Sequence, residues 1–147
     1  MDRHDDVLGP LDFDDLDEVF VAQVGSSDGV IELLLEAPDE ELSEAVTSAA
    51  EGIAKDPDAW LDQLKRSVIA DMYDDAVEWH HIAVAQGIAD TDKEISKETF
   101  VQSLKLDAIN VSDRGIHGFI GSEFICGGHV IQVLMPLRGG EPEFSIA

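Results

Sequence analysis

Basic residues are scarce in this sequence: nine lysines and arginines stand against 32 aspartates and glutamates, which gives a formal net charge of −23. A field of this sign repels nucleic acids and anionic lipid surfaces, because both are polyanions. The composition therefore argues against DNA, RNA or a membrane surface as a direct partner. A basic protein or a cation is the natural complement of such a surface.

Cysteine and long apolar runs are also scarce. The single cysteine, Cys126, rules out a disulfide within the chain and is typical of a reducing compartment. No apolar run approaches the length of a membrane span, and the first ten residues, MDRHDDVLGP, contain no apolar signal core. These absences predict a cytoplasmic protein.

The short motifs of common enzyme classes are missing as well. The sequence contains no G-x-S-x-G, no Walker loop, no G-x-G-x-x-G and no H-E-x-x-H. We therefore expect no cofactor and assign no catalytic residue. The pattern favours a binding protein over an enzyme without deciding between them.

The length and apolar content are those of one globular domain spanning residues 1–147, since 44% of the residues are hydrophobic. Period-two patterns near the start predict a strand over residues 7–13 and a hairpin whose turn is Gly25–Gly29. The C-terminal third returns to strand-like segments, LDAINVS, IHGFIGS, HVIQVLMPL and EFSIA.

Between these strands the apolar period changes to that of helices. Asp39 after Pro38 is a candidate N-cap for a first helix, and Asp56 before a proline begins a second helix that should run to about Val77. Beyond it, the helix could continue to Gly87 or give way to a packed loop. Ser96 caps a short third helix. Strands from both chain ends with inserted helices predict an α+β fold, in which one antiparallel sheet carries the helices on one face.

Negative charge is concentrated near the N-terminus, where residues 1–50 hold fifteen acidic residues and one basic residue, Arg3. The run LDFDDLDEVF resembles a calcium loop only superficially, because Leu16 occupies the fifth position and Asp17 stands where the loop needs glycine. We predict instead a docking surface for a basic protein, and we call residues 12–18 the acidic segment. Its predicted partner-binding residues are Asp12, Asp14, Asp15, Asp17 and Glu18. The alternative is a solvated acidic surface, as in adaptation to a salty cytoplasm.

The histidines and the cysteine offer an alternative based on metal. No histidine falls in a recognised zinc spacing, and Cys126-x-x-His129 supplies at most half of a tetrahedral site. His117 could approach His129 if their strands pair. We predict no metal site, with His117, His129 and Cys126 as the candidates if one exists. The competing interpretation is that the histidines are hydrogen-bonded sheet residues and that Cys126 lies in a structural turn.

Several segments together resemble a family. LGPLDFD, the acidic hairpin after it, a helix ending AVEW, ISKETFVQSLKLDAINV and SEFICGGHVIQVLM are similar to a bacterial domain of unknown function. The late motif of that family runs acidic-Phe-aromatic-Gly-His-apolar. The chain matches it at Glu123, Phe124, Gly128, His129 and Ile131, and departs from it at Cys126 and Gly127.

The resemblance implies a relation to immunity proteins of bacterial toxin systems. It therefore implies a non-enzymatic inhibitor that is made beside a basic toxin or effector and occludes it. Two alternatives remain: a small metal-binding protein or hydrolase using His117 and His129, and a structural or oligomeric domain whose acidity only solvates it. The sequence leaves the oligomeric state open.

Overall fold

A computed structural model describes residues 3–27, 29–87, 96–122, 130–137 and 141–146. Within these ranges the chain forms eight strands, three α-helices and a 3-10 turn. The strands are β1 (Arg3–Asp5), β2 (Gly9–Asp14), β3 (Val19–Ser26), β4 (Gly29–Glu36), β5 (Lys105–Ser112), β6 (Gly115–Gly121), β7 (Ile131–Met135) and β8 (Glu143–Ile146). The helices are α1 (Glu44–Lys55), α2 (Pro57–Ala85) and α3 (Lys97–Ser103), and the 3-10 turn is Pro38–Glu40. None of these helices is long and apolar enough to cross a membrane.

The strands form one sheet in which their spatial order follows their order along the chain. All neighbours are antiparallel except β4 and β5, which are parallel. A parallel pair requires a long crossover, and here α1, α2 and α3 supply it. The structure confirms the predicted α+β fold with one mostly antiparallel sheet, and the parallel central pair is a feature that the sequence patterns did not indicate.

The helices cover one face of the sheet, which we call the covered face, and the opposite side is the open face. Alternation along β4 shows the division, because Ile31, Leu33 and Leu35 are buried whereas Leu34 between them is half-buried. Two apolar clusters fill the covered face. One joins α1 and the start of α2 to β3, β4 and β5, and the other joins the rest of α2 and α3 to β6 and β7.

Two helix starts lie where the sequence predicts them. The Asp56 side chain accepts a hydrogen bond from the Ala59 amide at 3.1 Å and begins α2. At α3, Ser96 and Thr99 form a reciprocal capping box. In both cases a local side chain satisfies amides that the helix leaves unpaired, so the signal is readable from the sequence alone.

The predicted start of the first helix was wrong. Asp39 has a left-handed backbone (φ 56°) inside the 3-10 turn. The helix α1 begins later, at Glu44, and its N-cap is Ser43, whose side chain accepts a hydrogen bond from the Val46 amide at 3.1 Å. The second helix continues past Val77 to Ala85, so of the two alternatives for the following segment the continued helix is confirmed and the packed loop is wrong. Buried His80 and Ala83 extend its apolar stripe by further turns.

Candidate functional site

The acidic segment forms the end of the β2–β3 hairpin. One carboxylate oxygen of Asp14 accepts hydrogen bonds from the amides of Leu16 at 2.9 Å and Asp17 at 3.4 Å, which closes the turn. This geometry leaves the Leu16 side chain 94% exposed at the tip. The hairpin therefore presents a large apolar side chain among carboxylates.

The five predicted partner-binding residues lie together at this hairpin. Asp12, Asp15, Asp17 and Glu18 are exposed, whereas Asp14 is half-buried because it shapes the turn. In the part of the chain that the structure describes, no lysine, arginine or histidine forms an ion pair with any of them. Their negative charges are thus directed at solvent and at any molecule that approaches the hairpin.

The 3-10 turn adds two acidic residues that sequence reasoning did not assign to this surface. The Ala37 amide donates to the Glu18 carbonyl oxygen at 2.8 Å, and the Asp39 amide makes a long contact of 3.5 Å with Glu18 Oε1. These contacts place Asp39 and Glu40, both exposed, beside the acidic segment. The sequence did not indicate this placement, because Asp39 after Pro38 matches the pattern of a helix N-cap.

The backbone is strained where these two turns meet. Glu18, Asp39 and Glu40 have φ values of 53°, 56° and 62°, the left-handed region that glycine adopts most readily. A left-handed conformation costs an L-residue roughly 1–2 kcal/mol.

A pocket of about 550 Å³ lies on the open face next to the acidic segment. Asp17 lines it from the hairpin and Glu36 from the end of β4, while Arg114 lines it from the β5–β6 turn. The side chains across its floor are both polar and apolar, and they include Leu34, Asn110, His117, Gln132 and Leu134.

His117 is a half-buried residue of β6 and is hydrogen-bonded within the sheet. Its Nε2 atom lies 2.8 Å from Gln132 Nε2. In this arrangement the amide NH₂ can only donate, so the imidazole accepts at Nε2 and carries its proton on Nδ1. The ring of Phe119 packs beside it, with the two ring centroids 4.9 Å apart. His117 therefore adopts the hydrogen-bonded sheet role that was the competing interpretation.

Of the three metal candidates, His117 lies within the described residues. Across those ranges, no three histidine, cysteine, aspartate or glutamate side chains are grouped closely enough to hold an ion. Cys126 and His129 fall in residues 123–129, outside the described residues. A site joining them to His117 therefore stays a prediction.

A larger groove of about 870 Å³ lies at the other side of the molecule, between α1 and the ends of β6 and β7. Among the residues that the structure describes, its lining is mostly apolar, with Trp60, Ile116 and Met135 among its members, and Glu44 is the one ionisable side chain. It offers little chemistry for polar recognition compared with the pocket on the open face.

Two carboxylates outside the acidic segment have pKa values below their ordinary range. The Leu8 amide, which donates to Asp5 at 2.9 Å, lowers the pKa of Asp5, and the Val7 amide adds to this at 2.8 Å. The Ser27 amide, which donates to Asp58 at 2.7 Å, lowers the pKa of Asp58. Both carboxylates hold turns in place, so these shifts are structural and do not mark a catalytic group.

Comparison with known proteins places the chain in a family. The model of DUF2262, a family described as uncharacterised proteins conserved in bacteria, matches residues 5–144, and the chain belongs to this family. No curated protein and no solved structure gives a significant match to the chain. The expected bacterial domain of unknown function is thereby confirmed.

Proposed function

We propose that this bacterial protein is a non-enzymatic inhibitor of the immunity type, which binds a basic toxin or effector through its acidic segment and occludes it. The observation that carries the proposal is Leu16, which is 94% exposed at the tip of a hairpin ringed by carboxylates. An exposed leucine side chain does not stabilise the free protein. When a partner covers it, the free energy of binding becomes more favourable by about 25 cal/mol for each Å² of apolar surface buried.

The carboxylates around Leu16 complement that apolar anchor. Charged groups at the rim of an interface accelerate encounter with a partner of opposite sign and disfavour partners of the same sign. A net charge of −23 extends this steering over the whole molecule. The relation to immunity proteins that the sequence resemblance implies favours an inhibitor over other classes of acidic binding protein.

The test begins with the partner. The full chain, immobilised, is exposed to lysate of its bacterial host and eluted with rising salt, and a basic protein released by salt is then purified. Affinity is compared between the wild type and the variant D12N/D15N/D17N/E18Q, which keeps Asp14 because that residue shapes the turn. We expect this variant to lose about 10- to 100-fold in affinity and most of the salt dependence of binding.

A matched control removes the same four charges elsewhere. Asp71, Asp74, Asp75 and Glu78 are exposed residues of α2, and D71N/D74N/D75N/E78Q changes net charge equally. This control should retain most of the affinity. Equal losses in the two variants would show that only net charge matters, which would favour the solvated-surface alternative. Leu16→Ala should weaken binding while leaving the salt dependence unchanged, since it removes only apolar area.

A further inference from the structure

The pocket on the open face has the chemistry of a receptor for one basic side chain. We propose that it receives an arginine side chain of the basic partner, an inference that rests on the proposed function because Asp17 belongs to both the acidic segment and the pocket. The pocket would then supply the specific contact, whereas the rest of the acidic segment supplies attraction at longer range.

Charge complementarity selects a cation. Two carboxylates, Asp17 and Glu36, line the pocket against one guanidinium, that of Arg114. In the ranges that the structure describes, neither carboxylate is paired with a lysine, arginine or histidine. The local balance is therefore negative, inside a molecule whose net charge is also strongly negative.

The floor of the pocket suits a long aliphatic stem. Cross-strand pairing places Leu34 beside Asn110, Asn110 opposite His117, and His117 opposite Leu134. Apolar side chains thus flank a polar centre along one row of the sheet. The methylene groups of an arginine can cover the leucines while its head group reaches the polar atoms.

Hydrogen-bond acceptors favour arginine over lysine. Because Gln132 donates from Nε2 to His117, its carbonyl oxygen Oε1 is left to accept a bond, and Asn110 and Ser112 provide further acceptors nearby. A guanidinium offers five donors in a planar fork, which matches carboxylate and amide oxygens better than the compact ammonium of lysine. Its plane can also stack on the ring of His117, which lines the pocket.

The experiment uses the full chain labelled with ¹⁵N and ¹³C, and N-acetyl-arginine methylamide as the probe. We expect saturable shifts of the His117 ring and Gln132 amide resonances. The citrulline analogue, which has the same shape without charge, should not produce them, and the lysine analogue should bind more weakly. Equal shifts from the citrulline analogue, or no localised shifts from the arginine compound, would overturn the proposal.

Three variants sharpen the test. Glu36→Gln should weaken binding of the arginine compound about threefold to fivefold, as expected for a partly exposed ion pair. Glu32→Gln makes the same change on the same strand and face but outside the pocket lining, and it should have little effect. Arg114→Gln should strengthen binding, because it removes a repelling charge. Weaker binding in Arg114→Gln would contradict the assignment, because a pocket that selects a cation should bind it more tightly once a positive charge is removed from the lining.

The outcome is separable from that of the proposed function. Asp12, Asp15 and Glu18 do not line the pocket, so neutralising these three residues tests partner binding through the acidic segment alone. If that variant loses partner affinity while the arginine compound fails to bind the wild type, the pocket assignment is wrong and the proposed function stands.

Discussion

On β4, Leu33 and Leu34 are adjacent in the sequence and lie on opposite faces of the sheet. Leu33 is fully buried beneath the helices, whereas Leu34 is half-buried and lines the pocket beside the acidic segment. The difference follows from the two-residue period of a strand, which sends alternate side chains to opposite faces. The covered face supplies the packing that stabilises the fold, so the side chains of the open face are not restricted to apolar types.

The two faces differ in polarity as well as in burial. The side chains that the strands direct to the covered face are the hydrophobic, buried members of the two apolar clusters. The open face mixes Asn110, His117 and Gln132 with exposed Phe119 and Leu134, which are 47% and 44% exposed. Such a mixture of exposed aromatic, apolar and polar side chains is a composition suited to recognition.

The strongest test of this division substitutes the two leucines in turn. Leu33→Ala should lower the free energy of unfolding by about 2–5 kcal/mol, since it leaves a cavity in the core. Leu34→Ala, the matched control on the same strand, should lower it by less than about 1 kcal/mol. Urea denaturation followed by circular dichroism measures both. Similar losses from the two substitutions would mean that the open face is also packed against something.

A second test concerns Gly115, the residue with which β6 begins. Its φ is 140°, and a Cβ atom there would lie 2.5 Å from the carbonyl oxygen of Met135 on β7. Gly115→Ala should therefore cost about 2–3 kcal/mol, because the added carbon meets rigid backbone in a conformation that L-residues rarely adopt. The close approach of β6 and β7 at the pocket depends on this glycine.

The control for Gly115 is Gly25 on β3, where an added Cβ meets no atom within 4 Å. Gly25→Ala should change the free energy of unfolding by less than about 1 kcal/mol in either direction. Unfolding midpoints of the two variants give the comparison. If Gly115→Ala were as stable as Gly25→Ala, the backbones of β6 and β7 would have to separate freely, which would contradict a rigid pocket floor.

Local chemistry decides which features the sequence could predict. Helix caps and strand alternation depend on residues only a few positions apart, so the caps at Asp56 and Ser96 and the alternation could be predicted from the sequence. The parallel pairing of β4 with β5 depends on contacts more than seventy residues apart, and no local pattern encodes it. Asp39 matched the pattern for an N-cap, but the observed N-cap is Ser43. The hydroxyl of Ser43 also donates a hydrogen bond to Asp113 in the β5–β6 turn at 3.0 Å, and this tertiary contact cannot be read from the local sequence.

The same distinction applies to the candidate site. Five acidic residues of the hairpin were predicted to bind a partner because they lie close together, within residues 12–18. Their approach to Glu36, Asp39 and Glu40, and the pocket that Asp17 shares with His117, arise only when the sheet assembles. Sequence reasoning identified His117 as a candidate metal ligand, yet its partner in the structure is the amide of Gln132.

The smallest predicted effect lies at the edge of the covered face, where Asp5 holds the turn that leads to buried Leu8. Amide donors lower the pKa of Asp5 in the folded state, the Leu8 amide most strongly. A carboxylate whose folded pKa is lowered stabilises the fold above its ordinary pKa, and that contribution disappears as the pH falls through the lowered value. Above about pH 4, Asp5→Asn should therefore be less stable than the wild type by under about 1 kcal/mol.

As the pH falls through the lowered pKa of folded Asp5, the wild-type carboxyl becomes protonated, so the two proteins should converge in stability. Asp6→Asn is the matched control, because Asp6 is the exposed neighbour and no amide is seen to donate to its carboxylate in the described part of the chain. Urea denaturation across the acidic range resolves the three proteins. A constant gap between Asp5→Asn and the wild type at every pH would trace the effect to the shape of the turn. A gap that closes with acid would trace it to the charge, and would show that the edge of the covered face is stabilised by a carboxylate while its centre is stabilised by apolar packing.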